Sequence, residues 1–152
     1  MAVNPIETKI INKIKTLIPL MTIANGYSRN FGSVDEDTPA NIVFPATWLE
    51  YPEDEPLDEE LSVIERDTVY LGLMLRVWLN TAANLDEEMG EINADFSKMF
   101  ADNEGDLQTE GLIKADYAGA NKTFRLVTAH PAEIIISYIL MYRWQKKYPY
   151  QT

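Results

Sequence analysis

The single histidine of the chain, His130, is the residue on which a Ser-His-Asp triad or a histidine-ligated metal would have to depend. It directly precedes Pro131 at the predicted start of a strand, and no neighbouring motif residues accompany it. We therefore interpret His130 as a structural or surface residue. Because the chain has no cysteine, disulfides and thiolate metal sites are excluded as well.

Two short runs approach known ligand-binding motifs without completing them. In a calcium loop beginning at Asp102, glycine would be the sixth residue and a carboxylate the twelfth, but glycine is the fourth and Ile113 the twelfth. The run from Gly119 to Thr123 contains the Lys-Thr pair of a phosphate loop, but Asn121 stands where that loop requires glycine. We interpret this second run as a hairpin turn.

Carboxylates are the remaining source of chemistry, since the chain has 24 acidic and 13 basic side chains and a formal net charge of −11. This charge opposes binding to a phosphate backbone, although an acidic wall would let DNA slide past. A small enzyme that uses paired carboxylates is the one enzymatic alternative that stays open. Because no motif brings such a pair together, we expect no enzymatic activity and no cofactor.

Two amphipathic helices are predicted among the elements that position these residues. The first ends at Pro19, and the second begins at a capping box from Asn84 to Glu87 and ends near Asn103 and Gly105. Both carry apolar residues at three- and four-residue steps, which indicates one buried stripe on each helix. The stripes consist of Ile6, Ile10, Ile11, Ile14, Leu17 and Ile18 in the first helix, and of Leu85, Met89, Ile92, Phe96, Met99 and Phe100 in the second.

Alternating apolar and polar residues predict the strands. In residues 69–79 one side carries leucines and valines, while Tyr70, Met74 and Trp78 share the other side. A strand that is apolar on both sides is typically central and covered twice, by helices or by a partner subunit. The last strand is longer than average and is a natural place for subunits to meet. The predicted strands lie at 25–34, 40–51, 61–66, 69–79, 111–117, 122–127 and 132–144.

The order of helix, strands, helix and strands predicts an α+β fold, in which a mostly antiparallel β-sheet packs against two α-helices. At 152 residues the chain is expected to form a single domain over residues 1–152. An acidic insertion at about 50–60, with seven carboxylates and no basic residue, is expected to be a solvated loop or hairpin tip. Since no apolar run is long enough for a membrane span and the first residues do not read as a signal peptide, we expect a cytoplasmic protein without membrane contact.

One segment connects the chain with a known family. The predicted first helix leads straight into residues 21–34, Met-Thr-Ile-Ala-Asn-Gly-Tyr-Ser-Arg-Asn-Phe-Gly-Ser-Val. An acidic insertion, an apolar strand, a capped helix and a long closing strand then follow in that order. In this layout, and in the Asn-Gly-Tyr turn after the first helix, the chain resembles the tail-terminator (tail-completion) proteins of long-tailed bacteriophages.

The resemblance implies a structural virion protein without catalytic residues. Its subunits would form a hexameric ring that caps the tail tube, fixes tail length and provides the head-tail joining surface. The partners would be copies of the chain, the tail-tube protein and a head-connector or head-completion protein, and DNA would pass through the ring without specific binding. The protein would work in the host cytoplasm during assembly and then in the tail or neck of the virion.

Other proteins without chemistry would fit the same composition. They are another neck component such as a head-tail joining protein, a tail-tube subunit, or a monomeric acidic adaptor domain. Within the ring reading, aromatic and acidic side chains at strand ends and in the acidic insertion are the candidate interface residues, whereas Trp78 is expected in the core. These candidates are Trp48, Tyr51, Glu53, Asp54, Glu55, Tyr138, Tyr142 and Trp144, and no catalytic, cofactor-binding or metal-binding residue is assigned.

Overall fold

A computed structural model describes residues 5–36, 41–52, 68–81, 83–124 and 132–143. In this part of the chain four strands form one antiparallel sheet in the order β1-β2-β4-β3. The predicted α+β fold with a mostly antiparallel sheet is therefore confirmed. The elements in chain order are α1 (Pro5–Leu17), β1 (Ala46–Glu50), β2 (Thr68–Leu79), α2 (Leu85–Asp102), α3 (Glu104–Thr109), β3 (Leu112–Phe124) and β4 (Ala132–Arg143).

Helix α1 forms where the predicted apolar stripe lies, and it buries that stripe. Ile10, Ile11 and Ile14 are at most 1% exposed. Burying an aliphatic side chain of this kind stabilises the fold by roughly 1.5–3 kcal/mol, so the stripe holds α1 against the sheet. Pro19 lies in a short 3₁₀ helix, Ile18–Leu20, that follows α1, as expected of a residue that cannot continue an α-helix.

Helix α2 confirms the second predicted helix and its end near Asn103, but the predicted capping box is wrong. Asn84 adopts a left-handed conformation (φ 55°) and its side chain forms no cap. Beyond Asn103, whose backbone N–H donates to Met99 O, the chain forms an additional short helix, α3, which the sequence analysis did not predict. Leu107 of α3 is fully buried, and this burial offsets the poor helix propensity of Gly105.

The core lies between the helices and one face of the sheet. Directly opposite residues in an antiparallel pair point to the same face, so the pairs Leu73↔Tyr138, Leu75↔Ile136 and Val77↔Ile134 all face the helices. Five of these six side chains are 0% exposed and Tyr138 is 3% exposed. The predicted alternation of β2 and β4 is therefore confirmed, and both strands are central in the sheet.

Strand β3 is continuous where the sequence predicted two strands and a hairpin turn. The run from Gly119 to Thr123 lies inside the strand and pairs with β4. The strand contains two register shifts, one between Leu112 and Lys114 and one between Tyr117 and Gly119. At the second shift Gly119 has a φ of 137°, a backbone conformation that glycine tolerates. The hairpin prediction was wrong because an irregularity in a strand uses the same residues as a turn.

Residues 21–34 form no regular strand, in contrast to the prediction. A 3₁₀ helix, Ile23–Asn25, ends at Gly26, which is left-handed with a φ of 94°. Only Val34 contributes an isolated bridge, to Thr47. The predicted strand at 40–51 is shortened to β1, which begins directly after Pro45, since proline cannot donate to the ladder.

Several predictions fall outside the described residues. They are the strand at 61–66, the surface role of His130, and all of the acidic insertion after Pro52.

Candidate functional site

We call the sheet face that points away from the helices the open face. It carries the even-numbered residues of β2 and the odd-numbered residues of β4. Tyr70 is 57% exposed and Ile139 is 42% exposed there, whereas their chain neighbours Leu71 and Tyr138, on the helix side, are 7% and 3% exposed. The described part of the chain thus covers one face of the sheet and leaves apolar side chains on the other.

Small residues form a groove in the middle of the open face. A Cβ added to Gly72 would have no neighbour within 4 Å, which shows the open space beside this residue. Ser137 lies across the groove, and Tyr51, Met74 and Ile139 form parts of its wall. The groove has a volume of about 540 Å³, within the range of ordinary ligand pockets.

A charged cluster closes one end of the open face. Glu133, whose side chain is only 4% exposed, accepts hydrogen bonds from Arg76 Nη1 (3.2 Å) and from Trp78 Nε1 (2.9 Å). Arg76 also donates from Nε and Nη2 to the two carboxylate oxygens of Glu50, at 3.0 and 3.2 Å. The hydrogen bonds that Arg76 donates to Glu50, together with the charge of Glu133, hold the pKa of Arg76 above its usual range. Arg76 and Trp78 thus supply the buried Glu133 carboxylate with charge-assisted and neutral hydrogen bonds.

Two tryptophans lie beside this cluster. The rings of Trp48 and Trp78 are stacked with centroids 4.0 Å apart and planes tilted by 34°. Both side chains are half-buried on the open face, so Trp78 does not lie in the core as the sequence analysis expected. Stacked aromatic rings of this kind give the end of the open face a rigid apolar surface.

The segment 21–34 is fastened to α2 by its polar side chains. Asp95, only 6% exposed, accepts from Ser28 N at 3.1 Å and also from the hydroxyl of Ser28. Arg29 forms ion pairs with Glu88 and Glu91, and Phe31 meets Phe96 in the core. The residues that carry the family resemblance are therefore held rigidly in place.

A second concave surface lies between α2, α3 and β3, and we call it the edge cleft. It has a volume of about 410 Å³. At its floor, the hydroxyls of Ser97 and Tyr138 are 3.1 Å apart, and burial raises the pKa of Tyr138. Tyr117, 51% exposed, meets the Tyr138 ring edge-on at a centroid distance of 5.9 Å. The walls include Phe100, Ala101, Leu107 and Ala115, with Glu104 and Asp116 at polar positions.

The structure separates the interface candidates that the sequence predicted. Trp48 lies on the open face and Tyr51 lines its groove. Tyr138 and Tyr142 are buried, at 3% and 1% exposure, and Tyr138 lies at the floor of the edge cleft. The hydroxyl of Tyr142 donates to the buried Glu7 at 3.0 Å. The remaining candidates, Glu53, Asp54, Glu55 and Trp144, lie outside the described residues.

Sequence reasoning missed Ile139 and the groove beside it. The odd-numbered positions of β4 include Ile135 and Ile139, but the sequence analysis assigned neither of them to an exposed surface. Pairing supplies the missing signal, since Ile139 lies opposite Gly72 and Ser137 lies opposite Gly119. Small residues that meet across strands leave a trough that single-strand patterns do not reveal.

Within the described residues, no group of three or more His, Asp or Glu side chains is arranged to hold a metal ion. No α-helix in the same ranges is both long and apolar enough to span a bilayer. No family model and no curated protein matches this chain.

Proposed function

We propose that this chain is a non-enzymatic structural subunit of the tail-terminator type, which assembles into a six-membered ring on the end of a bacteriophage tail tube. The ring fixes tail length, joins the tail to a head-connector or head-completion protein, and lets DNA pass without specific binding. The subunit needs no cofactor. It works in the host cytoplasm during assembly and stays in the tail or neck of the virion.

The observation that carries this proposal is the apolar open face. Contiguous exposed apolar surface marks an interaction site, because a neighbour that covers it removes apolar surface from water. Tyr70, Met74 and Ile139 lie next to the groove on this face, and the stacked Trp48 and Trp78 lie at its end. A subunit built to assemble accounts for this surface.

The charge of the chain supports the part of the proposal that concerns DNA. With a net charge of −11, copies in a ring would surround a channel with negative potential. Protein that grips DNA instead presents clustered lysine and arginine. Described basic side chains of this chain are engaged with its own carboxylates, as in Lys15 with Asp35 and Lys122 with Asp86.

Native mass spectrometry of the full chain over a range of concentrations tests the proposal. We expect a six-subunit species whose share grows with concentration, and ring-shaped particles with six-fold symmetry in electron micrographs. A chain that stays monomeric at high concentration would instead support the acidic adaptor, and one that polymerises into long tubes would support a tail-tube subunit.

A pair of matched variants tests whether the open face takes part. Ile139→Asp places a charge on the open face, whereas Asn12→Asp places the same charge on the exposed side of α1. We expect Ile139→Asp to shift the population towards single subunits and Asn12→Asp to assemble like the parent chain. Equal assembly of both variants would remove the open face from the interface.

The tail-terminator role itself requires a test with tail-tube protein encoded by the same genome. We expect the ring to bind the ends of polymerising tubes and to shorten them, because a capped end cannot accept further subunits. The Ile139→Asp variant should leave tube length unchanged at the same concentration. Tubes that grow equally with and without the parent ring would favour another neck component.

A further inference from the structure

The outer edges of the two edge strands, β1 and β3, differ in their backbone hydrogen bonding. On the outer side of β1, Thr47 N donates to Ser33 O, Asp35 N donates to Thr47 O, and Leu49 N donates to the Asp35 carboxylate. These bonds occupy the edge of β1 and leave no room for another strand. Among the described residues, β3 pairs with β4 alone, so the outer edge of its 13 residues has no strand beside it.

The helical layer extends over this open edge. Helix α2 packs mainly against β3, the edge strand, rather than against the middle of the sheet. Its side chains towards the edge cleft are small and exposed at Ser97 and Ala101, and Tyr117 of β3 remains half exposed beside them. The edge cleft is thus the space that the side chains of a fifth strand, added beside β3, would fill.

Residues 144–152, Trp-Gln-Lys-Lys-Tyr-Pro-Tyr-Gln-Thr, have the composition that this space requires. Trp144, Tyr148 and Tyr150 are an even number of residues apart, so in an extended segment they point to one side. Lys146 and Lys147 give the segment a charge of +2. The other 143 residues carry a net charge of −13, so that the whole chain has its net charge of −11. The aromatic side chains of the segment therefore complement the apolar walls of the cleft, and its lysines complement Glu104, whereas Asp116 is already paired with Lys114, which also lines the cleft.

Reach and chain direction agree with this assignment. Nine residues in an extended conformation span roughly 30 Å, comparable with most of the length of β3. Strand β4 ends at Arg143, next to Tyr142, which is paired with Leu112 at the beginning of β3. Arg143, the last described residue before this segment, therefore lies at the end of the sheet where β3 starts. Pro149 has no N–H, so an added strand that contains it discourages further edge pairing.

We infer that residues 144–152 of one copy bind as an added strand along the open edge of β3 in the next copy, with their aromatic side chains in the edge cleft. The contact is heterologous, because the donor segment and the acceptor edge are different parts of the chain, and repeated heterologous contacts close into rings. This inference rests on the proposed ring and adds, beside the open face, a second contact that neighbouring copies need in order to assemble.

Two variants of the full chain each remove one half of this contact. In the donor variant, Trp144, Tyr148 and Tyr150 are all replaced by serine. In the acceptor variant, Ala101→Arg fills the edge cleft and adds a charge of the same sign as Lys146 and Lys147. Ala101 is exposed, so the new side chain does not disturb the core. Ala24→Arg, at an exposed position of the 3₁₀ helix Ile23–Asn25, is the matched control.

Sedimentation velocity and native mass spectrometry of each variant and of their equimolar mixture decide the question. We expect each variant alone to be a single subunit, the mixture to form a 1:1 dimer and nothing larger, and Ala24→Arg to assemble like the parent chain. Hydrogen exchange at the amides of residues 114–120 should slow at least about tenfold in the mixture, because added strands protect edge amides.

The other outcomes overturn the inference in distinguishable ways. If the parent chain and both variants form rings, the ring contact lies elsewhere and the proposed function stands. If the mixture contains only monomers while the parent assembles, the segment occupies the edge of its own subunit or no edge at all. If the parent chain itself is monomeric at every concentration, the proposed function fails together with the inference.

Discussion

Both faces of the sheet carry apolar side chains from β2 and β4, but these side chains have different surroundings in the subunit. On the helix side, Leu75 and Ile136 are fully buried, while on the open face Tyr70 and Ile139 are 57% and 42% exposed. Residues of the same chemistry therefore stabilise the fold on one side and remain available to a neighbour on the other. The position of a residue in the strand, odd or even, decides which role it has.

The largest difference between the two faces is expected when a charge is placed on each face of β4. Ile136→Asp buries an uncompensated carboxylate in the core and should lower the free energy of unfolding by more than about 4 kcal/mol, a large part of the roughly 5–15 kcal/mol that stabilises an ordinary domain. Ile139→Asp, three residues along, should cost less than about 1 kcal/mol because its side chain is exposed to water. Urea unfolding of both variants measures the difference, and similar losses at the two positions would contradict the assignment of faces.

Periodicity was enough to predict the helices and the central strands, because their apolar stripes coincide with buried surface. Ile10 and Ile14 in α1, and Leu73 and Leu75 in β2, were placed on the correct side from spacing alone. The fold class followed from the order of these elements. Local pattern was sufficient here because the hydrophobic effect acts on whole faces of elements.

The parts that could not be predicted depend on contacts between distant residues. Nothing near Asp95 in sequence indicates that it receives Ser28, 67 residues away. The continuity of β3 through Gly119 depends on its pairing with β4. The exposure of Ile139 depends on which elements pack over each face of the sheet, and a strand pattern does not encode this. Function is subject to the same limit, since apolar residues on an exposed face have the same sequence pattern as core residues.

The segment 21–34 packs against α2, where Ser28 donates hydrogen bonds to Asp95. Removing the Asp95 carboxylate tests how much this contact contributes to the stability of the helix side. Asp95→Ala leaves Ser28 without its partner and should lower the free energy of unfolding by about 1–3 kcal/mol. Glu87→Ala on the same helix is exposed and should change stability by less than about 0.5 kcal/mol. Thermal unfolding followed by circular dichroism gives both values. A loss no larger than that of Glu87→Ala would mean that the segment is not anchored by Asp95.

The stability of the fold at alkaline pH tests the helix side of the sheet, because the buried Tyr138 lies on that side and carries a titratable hydroxyl. Burial raises its pKa above the usual 10.0, so the folded state holds the phenolic proton more tightly than the unfolded chain does. Its contribution to stability is therefore complete below pH 10 and is lost as the pH rises through the folded pKa. Lys15 and Tyr27 also have raised pKa values, so the effect must be isolated by substitution.

Tyr138→Phe removes the titrating group while keeping the ring. We expect the variant to lose about 1 kcal/mol at neutral pH with the hydrogen bond to Ser97, and to lose less than the parent between pH 9 and 11. Urea midpoints across this range measure the slope. Parallel pH profiles of parent and variant would show that Tyr138 ionises equally in both states.

The smallest effect is expected at the charged end of the open face, where Glu50→Gln weakens the ion pair with Arg76. The Glu50 side chain is 51% exposed, so solvent screens the pair and its loss should cost between about 0 and 1 kcal/mol. Arg76 keeps Glu133 as a partner, so the buried carboxylate stays satisfied.

Arg76→Met should cost more, because it removes a charged hydrogen-bond donor from the buried Glu133. Among the described side chains, the indole N–H of Trp78 would then remain as the donor to this carboxylate. A double-mutant cycle over Glu50 and Arg76 isolates the weak pair, and a coupling energy above about 2 kcal/mol would show that the open face is already shielded from solvent in the isolated subunit.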